Sequence, residues 1–334
     1  MGKSMVCSNM AIQYARAGFR VVIIDLDLGA ANVHTIFGMR TVPVGLGEFF
    51  TTKGSQITAF VTDTDIPNLQ IIAGGGFVPE LANLPHQQKV KLVRQMKRIE
   101  ADLVLLDLGA GTSNHVIDFF AMCDAGVVVT TPEPTAIINA YEFLKNIIFR
   151  ILFRMFRNQP ELLQLVKDAS VPGASEAENT VERLVSKVAE KNQWAAQNIR
   201  DVCQDFDMHL ILNQGRKVAE AQLGCKLRMI CDRFLNLDLH YAGMVFHNDL
   251  VSASVFQMSP VTVAFPDSCT SQVLKRLAIE TFSRIAKKML GEALPDPEEE
   301  LKQVLARAHC DYQLNLLAKK STQRERSLSH TDGE

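Results

Sequence analysis

The chain opens Met1-Gly2-Lys3-Ser4 and continues into a run in which Val6, Met10 and Tyr14 recur on one helical face, with Gly18 placed to close the helix. Gly-Lys-Ser at the start of a helix is the tail of a phosphate-binding loop. In such a loop backbone N–H groups and the helix dipole hold phosphate oxygens, the lysine reaches the β- and γ-phosphates, and the serine hydroxyl ligates Mg²⁺. Three residues recur by chance, and an exposed Lys-Ser at a terminus commonly does nothing. Two carboxylate-bearing segments supply context. Asp25-Leu26-Asp27-Leu28-Gly29-Ala30-Ala31-Asn32 closes one β-branched run, and Asp107-Leu108-Gly109-Ala110-Gly111 closes another. A carboxylate at a strand end beside a phosphate loop can hold Mg²⁺ through water, and the glycine after it lets the backbone approach the γ-phosphate. Each aspartate taken alone serves equally well as a helix cap or turn former.

The elements that must position these residues are short apolar runs alternating with helical patterns. Strands are expected at 20–25, 69–73, 102–107, 125–130, 208–213 and 241–246. They read as nearly continuous apolar stretches, which suits a parallel α/β sheet covered on both faces. Asp25, Asp107, Thr130-Thr131 and Asn213 collect at their carboxyl ends, the edge where open α/β sheets bind ligands. Residues 1–141 and 207–290 carry this repeat. Residues 142–206 have no strand signal and read as a helical insertion. Residues 291–334 read as a short helix followed by a disordered Ser/Arg/Lys/Glu end.

Composition narrows the class. With 334 residues, 47% hydrophobic and 22% charged, the chain has material for a packed core, which excludes global disorder. A net charge of −2, from 35 basic and 37 acidic residues, lends no whole-chain support to nucleic-acid binding. The seven cysteines form no C-x-x-C pair, so a disulfide scaffold, a zinc ribbon and an iron–sulfur carrier are disfavoured. They read as small buried hydrophobes of a reducing compartment, and His34, His115 and His247 lack metal-ligand spacing. The apolar run 147–156 is interrupted by Arg150 and Arg154 and is too short to span a bilayer. A cytoplasmic protein is expected, with peripheral contact at the inner face of the membrane left open.

At this point the sequence resembles the MinD/ParA family of deviant Walker A ATPases, most closely its FlhG-like branch of flagellar-number regulators. The resemblance rests on Gly2-Lys3-Ser4, on Asp25 through His34, on Asp107 through Gly111, on Thr131-Pro132-Glu133-Pro134-Thr135-Ala136, on Asn213-Gln214 and on Phe265-Pro266-Asp267-Ser268. It implies a doubly wound, mostly parallel sheet of the SIMIBI P-loop type, with ATP and Mg²⁺ as cofactors. Residue by residue it implies phosphate contacts from Gly2, Lys3 and Ser4, and Mg²⁺ held by Ser4 and Asp107 with Asp25 in support. It further implies Asp27 as the carboxylate that orients the attacking water, Gly111 as the switch II glycine, Asn213 as the reader of adenine, and Pro266 and Asp267 as the closure of the base pocket. Function would be that of an ATP-hydrolysing switch acting through an ATP-dependent homodimer and a protein partner to place or count flagella, a division site or DNA. Membrane and DNA are both open as platforms.

One departure is a loop that lacks the family's leading Lys-Gly-Gly, together with the strand before it. An upstream in-frame segment encoding an apolar strand and Lys-Gly-Gly is therefore expected. The alternative is a non-hydrolysing scaffold with a degenerate nucleotide site. Two further stretches carry paired readings. Residues 142–157 are apolar nearly all round except for a narrow stripe including Asn146, Arg150, Arg154 and Arg157, which suits either a core-packed helix or a partner- or membrane-binding surface. Leu301, Val304, Leu305 and Ala308 could form a membrane-targeting stripe, which Glu298, Glu299 and Glu300 oppose.

Overall fold

The structure is a computed structural model and describes residues 1–27, 29–41, 44–74, 84–170 and 181–331. Helix α1 (Lys3–Arg16) buries Val6, Met10 and Tyr14 and ends where Gly18 takes a φ of 98°. That left-handed conformation is open to glycine without steric cost, and it lets the Gly18 and Phe19 N–H groups close back on the carbonyls of Ala15 and Tyr14. The chain then enters β1 (Val21–Leu26), buried at every position. Short helices α2 (Val33–Ile36) and α3 (Leu46–Thr51) lead to β2 (Thr62–Asp63) and β3 (Leu69–Ile72). Next come α4 (His86–Met96), β4 (Leu103–Leu108), α5 (Asn114–Phe120) and β5 (Ala125–Thr130). Helices α6 (Pro134–Met155), α7 (Pro160–Ser170), α8 (Val181–Ala189) and α9 (Gln193–Asp205) precede β6 (Asp207–Gly215). After α10 (Ala221–Leu235) and β7 (Leu239–Phe246) the chain finishes in α11 (Asp249–Phe256), α12 (Val261–Ala264), α13 (Cys269–Leu290) and α14 (Pro297–Thr331).

The strands form two sheets, ordered β2-β3-β1-β4 and β5-β6-β7. Every pairing is parallel except the antiparallel β2 with β3. The fold is thus the mostly parallel α/β architecture that the alternating pattern implies. All six anticipated strands are present, and the two-residue β2 is an addition. Helix α1 packs against β1, β4 and β5, so it spans both sheets. One apolar cluster accordingly runs from Val21 and Ile23 of the first sheet to Val129 and Ile211 of the second, closed over by Leu274 and Leu277 of α13.

The described part of residues 142–206 consists of helices joined by short turns, with no strand, and α6 begins upstream of it, at a proline in its first turn. The apolar arc of α6 is taken up by the core: Leu144, Ile148 and Leu152 share a cluster with Val166 of α7, Leu184 of α8, Ile199 of α9 and Leu210 of β6. Val304 and Ala308 of α14 are buried in that same cluster, with Leu301 and Leu305 packed against it. The stripe open to a membrane reading is therefore committed to the interior. Helix α14 runs on to Thr331, through a stretch whose composition favours disorder but whose Lys, Gln, Arg and Glu residues are good helix formers. No described helix is long and apolar enough to cross a membrane.

Gly224 lets α10 approach β7 closely, because a β-carbon there would overlap the Tyr241 ring. Gly224→Val is expected to cost about 1–3 kcal/mol, seen as a lower urea midpoint with an unchanged slope. A midpoint equal to that of the parent chain would mean that the helix shifts without strain.

Candidate functional site

The N-terminus of α1 is built to receive an anion. Gly2 caps it in the left-handed region at φ 83°, no side chain caps the first turn, and no acidic residue lies in that turn. The first N–H groups are left to a ligand, and the helix dipole favours negative charge there. The end of β6 holds this start in place, since Asn213, 3% exposed, donates from Nδ2 to the Met1 carbonyl at 2.8 Å. A β-carbon at Gly2 would overlap that amide. Lys3 and Ser4 then occupy the first positions of the helix, both partly exposed.

The carboxylates arrive from the neighbouring strands. Parallel register sets Asp25 of β1 beside Asp107 of β4, at the carboxyl ends of both. Asp107 is 2% exposed, and its Oδ2 is buried with no hydrogen-bond partner. Burial raises the affinity of Asp107 for a proton, against the Ser4 hydroxyl and the Lys3 charge, while the Asp27 charge adds to the rise. An orphaned buried oxygen beside a serine hydroxyl and a lysine suits a divalent cation carrying phosphate. Asp25 differs, because its oxygens are already used. Oδ1 accepts from the Asp27 N–H at 3.1 Å, and Oδ2 accepts from Asn32 at 2.9 Å and Val33 at 3.1 Å. Asp25 thus shapes the loop that carries Asp27.

Asp27 lies against the second glycine-bearing loop. A β-carbon at Gly109 would sit 3.1 Å from Asp27 Oδ1, so glycine is what admits the carboxylate there. A cavity of about 160 Å³ opens beside them, lined by Asp27, Gly29, Gly109, Ala110, Ser113 and His115. Gly111 follows at φ 92°, which favours glycine on backbone grounds.

Of the residues singled out from the sequence, Gly2, Lys3, Ser4, Asp25, Asp27, Asp107 and Asn213 are drawn together by these contacts. Pro266 and Asp267 lie exposed on the connection between α12 and α13, where the Pro266 carbonyl accepts from Gln272 at 3.2 Å. Helix α12, which leads into that connection, is tied to α1 by Asn9, whose Oδ1 accepts from the Thr262 N–H at 3.0 Å and hydroxyl at 2.7 Å. Neither Asn9 nor Thr262 stands out in the sequence, since nothing in a lone asparagine signals a partner 253 residues away. The cysteines are free thiols; Cys203, Cys225 and Cys231 are buried and Cys310 is exposed. Among the described residues no group of His, Cys, Asp and Glu could hold a metal ion by itself.

The ParA family model, described as a NUBPL iron-transfer P-loop NTPase, matches residues 1–152. The flagellum site-determining protein YlxH of Helicobacter pylori is 24% identical over 310 residues, which are 92% of this chain and 85% of that protein. The antiactivator FleN of Pseudomonas aeruginosa is 24% identical over 288 residues, 83% of this chain and 81% of its own. The septum site-determining protein MinD of Pyrococcus horikoshii, solved with Mg-ADP, superposes with a TM-score of 0.56 over 86% of this chain and 93% of that one. At 15% identity that last likeness speaks to the fold.

Proposed function

We propose that this chain, a relative of the MinD/ParA P-loop NTPases, is an ATP-binding and ATP-hydrolysing switch that governs where a cell builds a structure. A flagellum is the favoured structure, because a relative matching 92% of the chain is named a flagellum site-determining protein. The observation that carries the biochemical reading is the convergence of an uncapped helix N-terminus with the orphaned Asp107 oxygen and with Asp27 seated on Gly109.

In this reading the N–H groups of the first turn of α1 and the Lys3 ammonium bind the phosphates. The Ser4 hydroxyl and Asp107 would hold Mg²⁺, which when bound neutralises charge on the β- and γ-phosphate oxygens. Asp27 orients the attacking water, and Asp25 holds Asp27 in place through the loop it braces. Gly109 and Gly111 keep the second loop free of side chains where the γ-phosphate would approach. Asn213, Pro266 and Asp267 are assigned to the base side of the nucleotide. Nearly all of the catalysis is positioning and charge stabilisation.

Titration of the protein with a fluorescent ATP analogue and Mg²⁺ tests the binding step. Lys3→Ala is expected to weaken binding by about tenfold or more, the worth of a charge-assisted phosphate contact. Equal affinity in the two proteins would reject Lys3 as a phosphate contact, and failure of the parent chain to bind would leave a scaffold without a nucleotide. The switch reading further expects ATP to promote a homodimer. Light scattering should then record a doubled mass at saturating ATP, and an unchanged monomer mass would remove the dimer.

A further inference from the structure

A second polar cavity, of about 590 Å³, opens where α4, α5 and α6 meet, lined by Lys89, Ser113, Asn114, His115, Asp118 and Arg150. Its polar floor is Asp118, 3% exposed, which gathers three cations from two other helices. Lys89 of α4 donates to Oδ2 at 2.6 Å, while Arg150 Nε and Arg154 Nη2 of α6 donate to Oδ1 at 2.8 and 2.6 Å. Burial works against the ionised carboxylate, but the hydrogen bonds from Arg150 and Lys89 and the Arg154 charge outweigh it, and the carboxyl is held below its usual range.

Among the described residues one carboxylate, Asp118, pairs with these three cations, which leaves an excess of two positive charges. The Lys89 side chain is 12% exposed, so solvent screens it poorly. Arg150 and Arg154 each spend one nitrogen on Asp118, and their forked guanidinium groups carry further N–H donors in excess of its acceptors. Such forks match the oxygens of phosphate groups bidentately. The cavity falls within the range of roughly 300–1,000 Å³ seen for small-ligand sites. Ser113 and His115 line this cavity and the smaller one beside Asp27 and Gly109 alike.

We propose that the cavity at the junction of α4, α5 and α6 is an anion site separate from the α1 phosphate loop, and that it takes a small phosphoanion on the surplus cations gathered around Asp118. Through Ser113 and His115 its occupant would bear on the loop that carries Gly109.

Inorganic pyrophosphate is the probe, titrated calorimetrically into the Lys3→Ala protein so that competition from the α1 loop is weakened. One equivalent is expected to bind, with affinity falling as salt rises. Arg150→Gln in the same background should weaken that binding by about tenfold or more. Because Arg150→Gln removes a contact to Asp118, a fold-independent readout accompanies it. Pyrophosphate should shield Lys89 of the Lys3→Ala protein from acetic anhydride, measured by mass spectrometry of the modified peptide. Failure of pyrophosphate to bind the Lys3→Ala protein, or unchanged labelling of Lys89, would overturn the site and leave the Asp118 cluster a structural pin. Equal binding by a folded Arg150→Gln protein would overturn it as well. These outcomes do not depend on ATP hydrolysis, so the switch reading stands or falls separately.

Discussion

Asp27→Ala is expected to bind ATP with the affinity of the parent chain and to hydrolyse it slower by a factor of about 100 or more, the usual cost of losing a group that handles the reacting water. The expectation follows from where the carboxylate sits. Asp27 follows the end of β1, its backbone N–H is fixed by Asp25 Oδ1, and its own carboxylate rests over Gly109. Among the described residues its hydrogen bonds join Asp25 and Ala30 and not the first turn of α1, where the phosphates are assigned, so the substitution is expected to remove water orientation and spare binding. Single-turnover hydrolysis beside a binding titration separates the two steps. Turnover at the parental rate would reject Asp27 as the water-orienting group. Loss of binding in step with turnover would make it a phosphate or metal contact instead.

The second large effect concerns pH. Without Mg²⁺ the protein should lose stability as pH rises from about 4 to about 7, by roughly 3–4 kcal/mol at 1.4 kcal/mol per unit. The cause is Asp25, whose carboxyl is pushed up to about 7 from an ordinary 3.8. Burial is the largest influence and the Asp107 charge adds to it, while the N–H groups of Val33, Asp27 and Asn32 pull the other way. Since the folded value lies above the unfolded one, the folded chain binds more protons across that window. The stabilising contribution is complete below about 3.8 and is lost as pH climbs through about 7. Asp107 shifts in the same direction. Urea midpoints at pH 5 and pH 7.5 in EDTA measure the slope, and Asp25→Asn should remove most of it. A slope that survives Asp25→Asn would place the titrating group elsewhere.

Much of the positioning was legible before the fold was known. Val21 to Ile24 and Leu103 to Leu106 are uninterrupted apolar runs, the pattern of strands covered on both faces; β1 is buried throughout, whereas β4, at the edge of its sheet, leaves Val104 37% exposed. Once both are parallel neighbours, Asp25 and Asp107 must end side by side, as their register records. Val6, Met10 and Tyr14 point the same helical face inward, which leaves Lys3 and Ser4 at an open N-terminus.

Other features belong to the tertiary structure alone. The wide apolar arc of α6 reads equally as core or as docking surface, and only the packing of α7, α8 and α9 around it decides for core. The stripe of α14 is decided in the same way. Arg150 and Arg154 form an ordinary polar stripe along one helix, but they meet Asp118 from 32 and 36 residues away, with Lys89 closing from 29 residues on the other side. Asn213 finds the Met1 carbonyl across 212 residues. Periodicity and local motifs report what a residue's own helix or strand requires. Contacts of this kind depend on how separate elements are rotated and spaced against one another, and that is set by the packing of the whole core.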